Sequence, residues 1–195
     1  ISNLDTVEDT YGFLSKNFKI NLNFKDLNKF KRFKTIIIIG MGGSVLGSSA
    51  IYNFFKEKIK KKVFFFDNID KKKLIHFKSN CNYKKTLFLV ISKSGNTIET
   101  LSNFSSLNII KKNEKNIILI SEKKNNILFS LSKKYNLHFI NHKTYLGGRY
   151  SVLSEVGLVP SLLMGLNVKS LRKKSDKYLK LSKKLLLKKN CLILA

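Results

Sequence analysis

Thr86-Leu-Phe-Leu-Val-Ile-Ser-Lys-Ser-Gly-Asn-Thr-Ile-Glu-Thr100 changes character twice within one short stretch. Thr86–Ile91 is an almost unbroken apolar run, the pattern of a strand buried on both faces rather than of one with a wet side. Ser92–Thr97 is polar or glycine at every position. From Asn96 onward, Ile98, Leu101, Phe104, Ser105, Leu107 and Ile110 bring apolar or small side chains back at near-helical spacing. Lysines follow at the end, where cations suit the helix dipole. Buried strand, polar turn and helix together make one unit of an α/β fold.

Working outward, the same alternation recurs. Thr35–Ile39, Val63–Phe66, Asn116–Ile120 and Leu137–Ile140 are further hydrophobic runs of strand length, each read as buried on both faces. Helix-length segments lie between them at Ser44–Lys60, Lys71–Lys78, Asn96–Asn113 and Lys123–Tyr135. Strand alternating with helix predicts a five-stranded, mainly parallel sheet flanked by helices, doubly wound. Before it, Val7, Tyr11, Leu14 and Phe18 mark an amphipathic helical lead-in. After it, Gly147, Gly148 and Gly157 interrupt the pattern, Pro160 can open a short helix through Leu166, and Lys169–Lys189 reads as a long amphipathic helix. The chain thus divides into a lead-in (1–30), an α/β domain (31–167), and a helical tail that begins a further unit (168–195).

Composition narrows the class. With 195 residues, 43% hydrophobic, ten unspaced glycines and only Cys81 and Cys191, the chain is neither disordered, collagen-like nor disulfide-stapled. Two lone cysteines suit a reducing cytoplasm. No apolar run approaches the roughly 20 residues that span a bilayer, so a cytoplasmic protein without membrane contact is expected. It starts at Ile1 without a methionine and stops at Ala195 inside a fresh apolar stretch, and is expected to be a piece of a longer protein.

Thirty-eight basic against twelve acidic residues give a formal charge of +26. Nearly all the cations are Lys, with arginine only at Arg32, Arg149 and Arg172, whereas nucleic-acid readers lean on Arg and exposed aromatics. The lysines are spread over every helix candidate. That distribution fits biased residue usage and solvated surface better than a polyanion groove, so no nucleic-acid partner is expected. The charge still steers small anions toward the surface, most at low salt.

Ligands of open α/β sheets bind beyond the carboxyl ends of the strands, which directs attention to the loops after the first and third runs. The first reads Ile39-Gly-Met-Gly-Gly-Ser44. It is either a tight turn with Ser44 capping a helix, or a backbone cradle for an anion or polar sugar. A dinucleotide fingerprint, with Asp67 as its acidic partner, is incomplete because Val45 holds the third glycine position. In the second loop Ser92, Lys93, Ser94, Asn96 and Thr97 crowd around Gly95 at a helix start. That exceeds what an ordinary Ser/Thr-rich cap requires and suits a phosphate monoester, which takes several compact donors and a helix N-terminus. Glu99 in the first helical turn is read as structural.

A third cluster is Leu146-Gly-Gly-Arg-Tyr-Ser-Val-Leu-Ser-Glu-Val-Gly157. Arg149, held by flexible backbone, is suited either to a developing oxyanion or carboxylate or to a structural ion pair. His76, His138 and His142 have no metal-ligand spacing, and the cysteines form no paired motif, so no metal and no cofactor are expected.

These three motifs, in order, resemble the glucose-6-phosphate isomerase family. The first two are shared with sugar-isomerase (SIS) domains at large; the third, running into Val-Gly-Leu-Val-Pro160, is characteristic of the family itself. The likeness runs from about Lys34 to Asn167. It implies a flavodoxin-like three-layer sandwich in which Gly43 and Ser44 line the sugar site, and Ser92, Lys93, Ser94 and Thr97 hold the phosphate. Gly148 and Arg149 then lie beside the reacting carbons, with Arg149 as the catalytic residue of this chain, stabilising the negative charge of the intermediate. The family interconverts glucose 6-phosphate and fructose 6-phosphate through a cis-enediol without a metal, as a homodimer. Its proton-moving glutamate, its ring-opening histidine and a late lysine come from a second SIS domain and beyond, for which no segment exists before Ala195. A phosphosugar-binding half that turns over little or nothing by itself is therefore expected. A non-catalytic SIS sensor is the alternative, and the Gly-Gly-Arg segment argues against it.

Overall fold

The computed structural model describes residues 22–148 and 151–171. The expected lead-in residues Val7 to Phe18, Arg149 and most of the Lys169–Lys189 helix lie outside that range. The strands are β1 (Thr35–Gly40), β2 (Lys62–Phe66), β3 (Thr86–Ile91), β4 (Ile117–Ser121) and β5 (His138–Asn141). The helices are α1 (Phe24–Leu27), α2 (Gly43–Phe54), α3 (Lys71–Asn80), α4 (Ile98–Ser106), α5 (Ile127–Tyr135) and α6 (Glu155–Leu163). All the strands are parallel, in the order β2-β1-β3-β4-β5.

Successive side chains of a strand point to opposite faces, and the apolar runs use both. Ile36, Ile38, Leu87, Leu89, Ile91, Ile118 and Ile120 pack on one face with Leu27 and Phe30, Val45 of α2, and Val156, Val159 and Leu163 of α6. Ile37, Ile39, Phe88, Val90, Ile117 and Leu119 pack on the other with Phe77 of α3, Phe104 of α4 and Leu128 of α5. Two cores thus sandwich one sheet, the expected three-layer arrangement, and each fully buried Ile or Phe contributes about 1.5–3 kcal/mol of transfer free energy.

β2 departs from the expectation of burial on both faces. It is one edge of the sheet, its burial alternates, and Phe64 is 41% exposed; β5, the other edge, is likewise only partly buried. An edge strand has a neighbour on one side only, so the helices do not cover it fully.

Several helix limits differ from those that hydrophobic spacing suggests, for backbone reasons. α2, expected to run on to Lys60, stops at Phe54 and gives way to a short 3-10 turn, Lys56–Lys58, with Ile59 already extended. The helix expected to reach Asn113 ends at Ser106, because Asn108 and Asn113 adopt left-handed φ of 51° and 62°. α5 starts at Ile127 rather than Lys123, because Asn126 is extended and caps it by accepting from the Phe129 N–H. α6 does not begin at Pro160: Ser154 caps it at Glu155, and Pro160 sits inside. Gly157 is also helical rather than a breaker, since a Cβ there would lie 2.0 Å from the Val152 carbonyl oxygen. Gly47 of α2 meets the same Val152 from the other side, at 2.9 Å. A glycine of the first motif thus lies tight against the Val152 side chain, and one of the third against the Val152 carbonyl.

Candidate functional site

β1 and β3 are neighbours that end level, Gly40 beside Ile91. The helices that follow them diverge, α2 to one face of the sheet and α4 to the other. That divergence opens a crevice at the carboxyl ends, the switch point of a doubly wound sheet. A hollow of about 290 Å³ occupies it, lined by Met41, Gly43, Ser44, Lys93, Ser94, Thr97, Glu122, Lys124 and Gly148.

Six expected site residues, Gly43, Ser44, Lys93, Ser94, Thr97 and Gly148, share this wall. Arg149 lies outside the described residues, next to Gly148. Ser92 does not reach the wall. It is 2% exposed, and its Oγ sits 2.9 Å from Thr97 Oγ1 and 3.4 Å from Ser94 Oγ while accepting from the Gly95 N–H at 3.1 Å. Ser92 holds the turn from behind, and Ser94 and Thr97 face the hollow.

The charge pattern favours an anion. α1, α3, α5 and α6 are each capped by a side chain: Asn23, Asp70, Asn126 and Ser154. α2 and α4, whose N-termini border the hollow, carry no side-chain cap. The cap of α2 is Gly42, at φ 52°, rather than Ser44, whose Oγ has no hydrogen bond among the described residues. Thr97 stands at the cap position of α4, but its hydroxyl pairs with Ser92 Oγ, where either oxygen can donate, rather than with the helix. The start of α4 presents open N–H groups, whereas in α2 the Ser44 and Val45 N–H groups already bond the Met41 and Gly42 carbonyls; each end still carries about half a positive charge. Lys93 and Lys124 add two cations, and Glu122 offsets one of them.

Lys93 is committed elsewhere than its role in the resemblance implies. Its Nζ donates to the carbonyls of Thr144 at 2.8 Å and Leu146 at 2.7 Å, and lies 3.6 Å from Glu122 Oε1. The ammonium thereby ties the β3 loop to the segment bearing Gly148. Glu122, 3% exposed, has its other oxygen against Lys124 Nζ.

Glu122 and Lys124 were not singled out from the sequence. They follow a buried strand as Ser92 and Lys93 do, but the sequence does not say that β4 stands next to β3. Among the described residues no group of three His, Cys, Asp or Glu side chains could hold a metal, and no helix is long and apolar enough to cross a membrane.

The family model described as phosphoglucose isomerase matches residues 17–180. The chain belongs to the phosphoglucose isomerase family. It is 38% identical over 173 residues to a probable glucose-6-phosphate isomerase of Methanococcus maripaludis, a match covering 83% of this chain and 39% of that protein. It is 36% identical over 149 residues to the glucose-6-phosphate isomerase of Borreliella afzelii, covering 70% of this chain and 28% of that one. The chain thus spans well under half the length of these curated relatives. Among solved structures, a hypothetical protein of Thermus thermophilus superposes with TM-score 0.70 at 23% identity, covering 87% of this chain and 40% of the other. A glucose-6-phosphate isomerase of Chlamydia trachomatis superposes with TM-score 0.64 at 24% identity, covering 77% and 30%. These likenesses establish the fold. In phosphoglucose isomerase terms, the three motifs read from the sequence all fall within the matched residues, and the two uncapped helix ends belong to the first two of them.

Proposed function

We propose that this chain is the phosphosugar-binding part of a glucose-6-phosphate isomerase, the reversible aldose–ketose isomerase of glucose 6-phosphate and fructose 6-phosphate in glycolysis and gluconeogenesis. The observation that carries the reading is the hollow between the two uncapped helix ends, lined by Ser44, Ser94, Thr97 and Gly148.

In this reading the phosphate of the open-chain sugar sits at the N-terminus of α4, taking hydrogen bonds from the Ser94 and Thr97 hydroxyls and from backbone N–H groups. Ser92 and Lys93 belong to the same phosphate turn: Ser92 supports it from beneath, and Lys93 contributes charge nearby while holding the adjoining segment. Gly43 and Ser44 at the start of α2 face the sugar hydroxyls, and Gly148 brings backbone close to C1 and C2. Arg149 stabilises the oxygen that becomes negative as the cis-enediol forms. Binding the non-reacting phosphate positions C1 and C2. The base that carries the proton between them, commonly worth about 10²–10⁴ in rate, comes from sequence outside this chain. The 31–167 span is the SIS domain, with a helical lead-in before it and the start of a second unit after it. The full-length protein is a cytoplasmic homodimer.

Calorimetric titration of the chain with fructose 6-phosphate tests the reading. Saturable binding that inorganic phosphate competes away is expected, with no interconversion of the two sugars by the chain alone. Steeply salt-dependent DNA binding with no sugar effect would overturn it in favour of a polyanion binder.

A further inference from the structure

His142 and Glu155 stand at the two ends of one segment. His142 follows β5 directly, and Glu155 opens α6. Between them, 143–154 carries the Gly147-Gly148-Arg149 run. Their side chains turn inward and meet, His142 Nδ1 lying 3.7 Å from Glu155 Oε2, each side chain 1% exposed. Among the described residues, neither imidazole nitrogen and neither carboxylate oxygen has a hydrogen-bond partner. A carboxyl group buried without partners is costly, and losing a neighbouring group able to compensate it is costlier still.

Other contacts run through the same segment. Lys93 Nζ holds the Thr144 and Leu146 carbonyls. Ser151 Oγ donates to the Gly148 carbonyl at 2.7 Å, and Ser154 Oγ to the Ser151 carbonyl at 2.6 Å. Val152 is wedged between Gly47 and Gly157. These fix the middle and the far limb. The His142–Glu155 contact is a side-chain pair that joins the two ends.

We propose that His142 and Glu155 are positioning residues: their buried contact closes the base of the 143–154 segment and so sets where Gly148 stands in the wall of the hollow. The clause about the hollow rests on the phosphosugar reading; the closure itself does not. Neither residue touches the sugar. They act through the backbone that joins them.

Hydrogen exchange of the 143–154 amides tests the closure, read against the β1 and β3 amides of the same molecule. Glu155→Leu keeps the volume and removes the polar partner, and Glu155→Gln keeps a group that can bond the imidazole. Glu155→Leu is expected to speed exchange across 143–154 by about tenfold with the β1 and β3 amides unchanged, and Glu155→Gln to restore most of the protection. If Glu155→Leu does not fold, His142→Phe, which fills the imidazole space without a polar atom, carries the same measurement. Unchanged exchange in 143–154, or a rise shared equally by the core strands, overturns the proposal.

Titration adds a readout that a merely structural contact would not move. Fructose 6-phosphate affinity should fall about tenfold in Glu155→Leu while inorganic phosphate affinity stays the same, because Gly148 faces the sugar end and the phosphate turn is built separately. A wild-type chain that binds neither ligand overturns the phosphosugar reading, and the exchange result still judges the closure.

Discussion

A Cβ built on Gly95 would lie 2.0 Å from Asn126 Oδ1. Gly95 is the pivot of the turn after β3, and Asn126 caps α5 after β4. The Gly95 carbonyl accepts from the Leu128 N–H at 3.2 Å, and Asn96 Oδ1 accepts from the Ile127 N–H at 2.9 Å. The phosphate turn is thus seated on the start of the next helix, and only a residue without a side chain fits between them.

Gly95→Ala should therefore be severe. Its φ of 71° already disfavours a side chain, and the displaced Asn126 would lose both its cap bond to Phe129 and its bond to the Glu122 carbonyl. Strain and overpacking together cost about 3 kcal/mol. Gly42→Ala is the control, with φ 52° and ψ −123° but open space around the new methyl, and should cost about 1–2 kcal/mol from backbone strain alone. Urea denaturation of both variants gives the comparison, and equal losses would show that the Asn126 contact is unimportant.

Ser94 and Ser92 should separate binding from stability. Ser94 is exposed at the wall, so Ser94→Ala should leave the unfolding midpoint almost unchanged yet weaken fructose 6-phosphate binding about tenfold, the worth of one charge-assisted hydrogen bond. Ser92→Ala removes one of the two acceptors of the Gly95 N–H, the Ser92 carbonyl being the other, together with the hydroxyl contact to Thr97, and should cost about 0.5–1.5 kcal/mol of stability. Calorimetry and denaturation on the same two proteins read both effects. A Ser94→Ala protein that binds as tightly as wild type would remove that hydroxyl from the phosphate site.

Lys93→Met strands two carbonyls and leaves buried Glu122 with Lys124 alone. Breaking a largely buried charge pair costs about 3 kcal/mol. Chemical denaturation checks it; a loss below about 0.5 kcal/mol, as for an exposed surface pair, would be the contrary result.

His138 gives the fold a dependence on pH. Burial pushes its imidazole below the ordinary value, Lys29 adds to that, and Asp26 partly offsets it. The unfolded chain binds a proton there more readily than the folded one. Stability should therefore be lost as pH falls below about 6.5 toward the lowered folded value, and this group should contribute nothing to the slope above it. In His138→Phe, which keeps a ring against Phe30, the drop in urea midpoint between pH 7.5 and 5.5 should shrink. An unchanged drop would assign the slope to other groups.

Strand positions were legible because β1, β3 and β4 are buried on both faces, and burial writes continuous apolar runs. All five expected strands fall within one residue of those observed at each end. β2 shows the limit of that argument, since its run looks like the others while its edge position leaves Phe64 exposed. Helix ends were less legible. Left-handed Asn108 and Asn113, or a proline accommodated within α6, are settled by local backbone and by neighbours such as Val152 rather than by hydrophobic spacing.

The sequence determined the alternation of strand and helix, the parallel sheet and the three motifs, because periodicity, glycine and short polar side chains act within a few residues of themselves. Only the tertiary structure decided that β3 lies between β1 and β4, that Glu122 and Lys124 join the hollow, that Ser92 stands behind the wall, that Lys93 grips the Thr144 and Leu146 carbonyls, and that His142 meets Glu155. Those contacts link residues far apart along the chain, and their partners are fixed by strand order and by the side of the sheet each helix takes.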